Sequence, residues 1–157
     1  MIKYIDGDLL ETDVDVIIHQ VNTRGVMGAG LALQIKKKYP DVFAEYYHIC
    51  KNAETHPEYL LGECQVISTD DGKYVANVFG EDKYWPKGVR HTDYDALEGG
   101  LKFLKMWMKT NGKKTCGCPY LLGCGLAGGS WEIVLEILRN IFGNDKEVEL
   151  TIVKYNK

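Results

Sequence analysis

Long hydrophobic runs are missing from this sequence. No apolar stretch approaches the ~18 consecutive residues that indicate a membrane-spanning helix, so we expect no membrane partner. The first residues lack the basic and then apolar order of a signal peptide, and the five cysteines are an odd number. We therefore expect reduced thiols and a cytoplasmic location.

An excess of basic charge is missing as well. The chain has 19 Lys and Arg residues against 22 Asp and Glu residues, so its formal net charge is -3. This balance argues against the broad electrostatic surface of a protein that binds duplex DNA. The basic run of residues 36–38 is interpreted as a solvated helix end, where cations are favourable.

Metal-binding patterns are also absent. Cys116, Cys118 and Cys124 are spaced C-x-C-x5-C, without the usual C-x2-C pair and without a fourth ligand nearby. We interpret them as buried thiols and expect neither a metal nor a cofactor.

Short β-branched runs and amphipathic runs alternate along the chain. The predicted strands are 2–5, 14–21, 64–69, 73–79, 115–122 (interrupted by Pro119) and one around 148–152. The predicted helices are 31–38, one opened by Pro40, one capped by Thr92 or Asp93, and one capped by Ser130. Asp71-Gly72 predicts a hairpin between the third and fourth strands. This order predicts one α/β domain over 1–157, with helices on both faces of a mixed sheet of about six strands.

Two glycine clusters each stand between a predicted strand and a predicted helix. They are residues 25–30 (GVMGAG) and 123–129 (GCGLAGG). Such loops suit phosphate binding, because backbone amides approach closely where no Cβ intervenes and the helix N-terminus is positive. Two of them predict a diphosphate held between the loops. The alternative is that the glycines only form tight turns.

Polar residues accompany these loops at the ends of the first two strands. Asp8 is placed either to accept a hydrogen bond from an adenine amine or to cap a turn. His19 and Asn22 lie at the end of the second strand, where site residues of open α/β sheets occur. The alternative for His19 is a structural histidine.

Four segments together resemble a known family. They are Asp6-Gly7-Asp8-Leu9, residues 16–22 (VIIHQVN), 27–32 (MGAGLA) and 123–129. In this order they resemble macrodomains, which bind ADP-ribose in a three-layer α/β/α fold. The resemblance is to the branch of terminal ADP-ribose protein glycohydrolases, yeast-type ADP-ribose-1''-phosphate phosphatases and macrodomains that remove ADP-ribose from DNA, which includes phage members.

The resemblance implies a set of ADP-ribose contacts. Asp8 matches the aspartate that binds adenine, with Leu9 beside it, and Asn22 matches the asparagine at the distal ribose. Asn77 is expected near the adenosine ribose. The remaining implied contacts are in the two glycine loops: Gly28, Ala29, Gly30, Gly123, Cys124, Gly125, Leu126, Ala127 and Gly128.

Two departures from the branch bear on the chemistry. Its glutamyl-ADP-ribose hydrolases use a lysine after the fourth strand, where this chain has Glu81, with Lys83 two residues later. Some members carry an aspartate where this chain has Ala127. A covalent lysine mechanism is therefore not expected. Tyr84 and Trp85, in the 80–92 loop, are equally compatible with stacking on a ligand and with covering the core.

These observations favour a hydrolase acting on ADP-ribose-1''-phosphate. Asn22 would position water or ribose, His19 would act as base or proton donor at an ordinary imidazole pKa, and the glycine-loop amides would stabilise developing charge. One alternative is a binding module for ADP-ribose or a derivative. The other is a glycohydrolase that removes ADP-ribose from protein or DNA, with ADP-ribosylated protein or nucleic acid as its partner.

Overall fold

The structure is a computed structural model that describes residues 1–155. Its strands are β1 (Ile2–Gly7), β2 (Val16–Val21), β3 (Cys64–Ser68), β4 (Tyr74–Phe79), β5 (Thr115–Pro119) and β6 (Glu149–Tyr155). Its helices are α1 (Gly30–Lys38), α2 (Pro40–Asn52), α3 (Tyr94–Thr110) and α4 (Trp131–Phe142). Short 3-10 helices form at Leu9–Glu11 and at Pro57–Leu60.

The six strands form one sheet in the order β1-β6-β5-β2-β4-β3. β3 and β4 form the predicted antiparallel hairpin, whereas the other neighbours are parallel. Residues of α3 and α4 fill the core on one face, and residues of α1 and α2 fill the core on the other. The predicted three-layer α/β/α fold with a mixed sheet is therefore confirmed.

β2 lies inside the sheet and is covered on both faces. Val16, Ile17 and Ile18 are completely buried, and because side chains alternate along a strand, they enter opposite cores. This explains the nearly continuous apolar run that the sequence shows there.

Three boundaries show what controls the strand and helix ends. β2 begins at Val16 rather than at residue 14, because the amide of Val14 closes a turn on the carbonyl of Thr12. β5 ends at Pro119 rather than at residue 122, and Leu121 just after it adopts a positive φ of 65°. Asp93, one of the two predicted caps, begins α3 by accepting a hydrogen bond from the Ala96 amide at 3.0 Å.

None of the helices within residues 1–155 is both long enough and apolar enough to cross a membrane.

Adjacent glycines of α3 face different surroundings. A Cβ atom at Gly100 would lie 2.6 Å from Cγ1 of Val78 and 3.3 Å from the carbonyl oxygen of Glu63, so α3 approaches the β3–β4 hairpin closely only because this side chain is absent. A Cβ atom at Gly99 would meet nothing closer than 3.9 Å, and Gly99 is exposed.

We expect opposite effects when each of these glycines is replaced by alanine. Gly100→Ala should lower the free energy of unfolding by about 1–3 kcal/mol, because it overpacks the core. Gly99→Ala should raise it by about 0.5–1 kcal/mol, because alanine favours the helix. Urea unfolding of both variants measures the two changes, and equal effects would show that α3 does not pack as described.

Candidate functional site

The carboxyl ends of the parallel strands bring the predicted site residues to one edge of the sheet. Asp8 follows β1, Asn22 and the first glycine loop follow β2, and the second glycine loop follows β5. The 80–92 loop follows β4, which is paired with β2. Ligands of open α/β sheets bind at this edge, where the loops diverge.

The second glycine loop presents consecutive backbone donors. Its ends are closed by hydrogen bonds from Gly128 to the Gly125 carbonyl (3.0 Å) and from Gly129 to the Gly123 carbonyl (2.9 Å). Between them, the amides of Gly125, Leu126 and Ala127 have no partner among the described residues. Gly125 is exposed, and a Cβ atom there would meet nothing within 4 Å. The loop therefore has the form of an anion-binding nest.

The first glycine loop opens a helix in the same way. Gly28, Ala29 and Gly30 are exposed, and α1 begins at Gly30, whose φ is +54°. Ala29 precedes the helix without a side-chain cap, so the side chain does not satisfy the first amides of α1. An anion placed here would meet unpaired donors and the positive end of the helix.

Most of the hydrogen bonds that the Asn22 side chain can make are used in holding the segment that leads into the first glycine loop. Its Oδ1 accepts from the Arg24 amide (2.9 Å) and the Tyr46 hydroxyl (2.8 Å), and its Nδ2 donates to the Val26 carbonyl (2.9 Å). Asn22 is 6% exposed. An amide nitrogen carries two hydrogens, so one N–H remains for a ligand.

Asp8 and Leu9 differ in what they can offer. Oδ1 of Asp8 accepts from the Leu10 amide at 3.0 Å, which is the turn cap expected as an alternative, while its Oδ2 has no partner within residues 1–155. The side chain of Leu9 is 4% exposed and packs in the core, so only its backbone can contact a ligand.

His19 belongs to a buried chain of amide hydrogen bonds. Nε2 of Gln65 donates to the Glu45 carbonyl of α2 (3.2 Å), so its Oε1 accepts from Nδ2 of Asn77 (3.1 Å). Oδ1 of Asn77 is then the acceptor facing Nε2 of His19 at 2.6 Å, and this nitrogen must carry the hydrogen. This series of hydrogen bonds crosses β2, β4 and β3 and ends on α2.

This arrangement corrects two expectations. Burial lowers the pKa of His19 to about 4, against the opposing effect of its hydrogen bond to Asn77, and the side chain is 2% exposed. The expected ordinary imidazole pKa is therefore wrong, and Nε2 is already a donor to Asn77. Asn77 is completely buried on an interior strand, so its expected place near the adenosine ribose is wrong too.

Sequence reasoning missed the hydrogen bonds that join the loops. Nε2 of Gln20 donates to the Thr92 hydroxyl (2.9 Å), which donates to the Gly123 carbonyl (2.6 Å). A second set joins the Thr23 hydroxyl and amide to Asp82. One feature of the sequence indicates these contacts: Gln20 is polar but ends a buried strand, and a buried polar side chain needs hydrogen-bond partners.

Glu81 lies between these two connections. A Cβ atom at Gly80, the residue before it, would lie 2.7 Å from Cδ of Gln20, so it could be added only if the Gln20 side chain shifted. Asp82 after it accepts a hydrogen bond from Thr23, and Glu81 itself forms an isolated antiparallel bridge with Thr92. Burial alone raises the pKa of Glu81 to about 7. The chain thus holds a carboxyl group with a near-neutral pKa at the edge where both glycine loops begin.

The cysteines lie in or near the core. Cys116 and Cys118 on β5 are completely buried, and burial raises the pKa of the half-buried Cys124 to about 11. Within residues 1–155, no group of three or more His, Cys, Asp or Glu residues is arranged to hold a metal ion.

Comparison with known proteins identifies the arrangement. The family model described as "Macro domain" matches residues 18–138. The chain belongs to the macrodomain family. The predicted resemblance is confirmed, and the glycine loops and Asn22 all fall within the matched residues.

Solved macrodomains share the fold over nearly the whole chain. The macrodomain of Mycobacterium tuberculosis DarG is 29% identical with a TM-score of 0.84, and the match covers 98% of this chain and 97% of that one. The macrodomain of Thermus aquaticus DarG is 26% identical with a TM-score of 0.80, and the match covers 100% of this chain and 99% of that one.

Two curated relatives carry different activities in their names. A DNA ADP-ribosyl glycohydrolase of Mycobacterium tuberculosis is 33% identical over 97% of this macrodomain, which spans only 42% of that protein's length. An ADP-ribose 1''-phosphate phosphatase of Scheffersomyces stipitis is 30% identical, covering 88% of this chain and 94% of that protein.

The buried imidazole of His19 predicts a pH-dependent stability. Its folded pKa of about 4 lies below the ordinary imidazole value of 6.5. The free energy that the buried neutral imidazole contributes to folding is therefore fully present above pH 6.5 and is lost as the pH falls from there through about 4. Relative to His19→Gln, the wild type should lose about 2–3 kcal/mol of unfolding free energy between pH 7 and pH 4. Urea unfolding at several pH values measures this difference, and parallel pH profiles would contradict the buried neutral imidazole.

Proposed function

We propose that this macrodomain binds ADP-ribose and hydrolyses the bond at C1'' of its distal ribose, releasing ADP-ribose from a nucleic acid. The observation that carries the proposal is the pair of glycine loops, whose amides without partners within residues 1–155 lie at the sheet edge that also carries Glu81. The DNA ADP-ribosyl glycohydrolases at 33% identity support the nucleic-acid acceptor.

The proposed pose follows the donors at the sheet edge. The amides of Gly125, Leu126 and Ala127 hold the diphosphate, and the N-terminus of α1 adds its positive end. The remaining N–H of Asn22 contacts the distal ribose. Oδ2 of Asp8 accepts a hydrogen bond from the adenine amine.

Glu81 is the proposed proton acceptor in place of His19. Its carboxylate takes a proton from a water molecule while the water oxygen bonds to C1''. The bond from C1'' to the acceptor atom breaks, its electron pair goes to that atom, and protonated Glu81 returns the proton there. A pKa of about 7 suits a group that must both accept and donate.

Hydrolysis of ADP-ribose-1''-phosphate, the reaction favoured by the sequence, is the second candidate. The yeast phosphatases support it, at 30% identity over most of both chains. The same glycine-loop amides would stabilise charge on the terminal phosphate. The proton acceptor would again be Glu81, since Nε2 of His19 is occupied.

We expect calorimetry to show that ADP-ribose binds more tightly than ADP, which lacks the distal ribose. Gly125→Glu should abolish binding, because it places an anion where the diphosphate lies, and it should fold because the position is open. Gly125→Ala is the matched control and should bind far better than Gly125→Glu. Normal ADP-ribose binding by folded Gly125→Glu would contradict the pose.

The products distinguish the two candidate reactions. The protein is mixed with an ADP-ribosylated DNA oligonucleotide and, separately, with ADP-ribose-1''-phosphate, and mass spectrometry follows ADP-ribose and phosphate. Free ADP-ribose and intact DNA from the first mixture support the proposal. Phosphate release alone would support the second candidate, and binding without turnover would indicate a binding module.

Glu81→Gln should lower the hydrolysis rate by about 10²-fold or more while leaving ADP-ribose affinity nearly unchanged. Because a base works when ionised, kcat/KM of the wild type should rise with pH through about 7, and this rise should be missing in Glu81→Gln. Lys37→Ala, in the last turn of α1, should keep the wild-type rate and pH profile. A wild-type rate and pH profile in Glu81→Gln would exclude Glu81 as the proton acceptor.

A further inference from the structure

The 80–92 loop carries a surface that the proposed ADP-ribose pose does not use. We propose that this surface, made of Tyr84, Trp85, Arg24, Lys83, Lys87 and Arg90 and called here the basic rim, binds a single-stranded nucleic acid next to the glycine loops. The inference deepens the proposed function and rests on it for the ligand in the neighbouring loops.

The charge of the basic rim is opposite to that of the whole chain. Residues 83–92 contain three Lys or Arg residues and no Asp or Glu, whereas the formal net charge is -3. Within residues 1–155, Lys83, Lys87 and Arg90 form no salt bridge, and Arg24 pairs with Asp82 at 3.2 Å. Cations without carboxylate partners are available to phosphates.

The aromatic rings of the basic rim are exposed and bordered by cations. Tyr84 is 48% exposed and Trp85 is 46% exposed, with their ring centroids 4.9 Å apart. Cζ of Arg24 lies 5.4 Å, and Nζ of Lys83 lies 5.8 Å, from the centroid of the Trp85 ring. Exposed rings among cations are how proteins bind single strands, because bases stack on the rings while phosphates meet the cations.

The position of the basic rim connects it to the site. The amides of His91 and Thr92 donate to the Ala127 carbonyl at 2.7 and 3.1 Å, which joins one end to the second glycine loop. Asp82 is held by Thr23, which joins the other end to the first. The loop that carries the rim is therefore joined at its two ends to the loops proposed to hold the diphosphate and the distal ribose, so a strand attached to that ribose would lie beside the rim.

A single strand fits this surface better than a duplex or an acidic peptide. In a duplex the base faces are stacked on one another and cannot reach Tyr84 and Trp85, and the overall negative charge opposes a wide contact. An acidic peptide would use the cations but would leave the exposed rings without a stacking partner.

The test uses a fluorescently labelled oligothymidine of about 12 nucleotides, with anisotropy measured over a range of salt concentrations. Trp85→Ala should weaken binding at least about fivefold. Lys83→Ala/Lys87→Ala should lower the slope of log affinity against log salt by about 1.4. Lys36→Ala/Lys37→Ala, the charge-matched control on α1, should bind as the wild type does.

Three results would overturn the inference: no binding by the wild type at low salt, equal weakening in the α1 control, or equally tight binding of a duplex or of oligoglutamate. Calorimetry with free ADP-ribose separates this inference from the proposed function. ADP-ribose binding without oligothymidine binding would remove only the basic rim. Oligothymidine binding without ADP-ribose binding would remove the proposed function.

Discussion

The hydroxyl group of Thr92 holds the site together. It accepts a hydrogen bond from Gln20 at the end of β2 and donates one to the carbonyl of Gly123, and it is 2% exposed. A buried hydroxyl with both functions satisfied fixes the distance between its partners, since losing either partner leaves a buried polar group unpaired. The 80–92 loop and the second glycine loop therefore keep one relative position at the sheet edge.

The sheet beneath this edge is stiffened by polar as well as apolar contacts. The chain from His19 through Asn77 and Gln65 to α2 runs across three adjacent strands within otherwise apolar layers. A buried hydrogen-bonded network of this kind favours a single strand register. Within this network His19 stays neutral and inaccessible. The acid–base step of the proposed reaction therefore needs another group.

Charge is distributed unevenly around the site, and the distribution matches the proposed steps. Among the described residues, unpaired amides face the proposed place of the diphosphate, the partly desolvated Glu81 follows β4 at the same sheet edge, and cations without salt bridges lie on the basic rim. In the proposed function, the amides suit the diphosphate anion, the carboxyl group suits proton transfer, and the cations suit the phosphates of a nucleic acid. Exposed parts of this arrangement should respond to salt, whereas the desolvated carboxyl group should respond mainly to pH.

Local sequence determined most of the fold. The order of strands and helices, the Asp71-Gly72 hairpin, the Asp93 cap and both glycine loops follow from contiguous residues, because backbone propensities and turn chemistry act over a few positions. The macrodomain resemblance was carried by contiguous segments as well.

Only the tertiary structure decided which side chains meet across the sheet: Thr92 joins Gln20 and Gly123, and His19 meets Asn77 rather than a ligand. These contacts join residues far apart in the chain, and burial sets the pKa values of His19 and Glu81. A residue's type and spacing specify neither its distant neighbours nor its exposure to water, so they do not determine which of the two groups suits the proposed proton-accepting role.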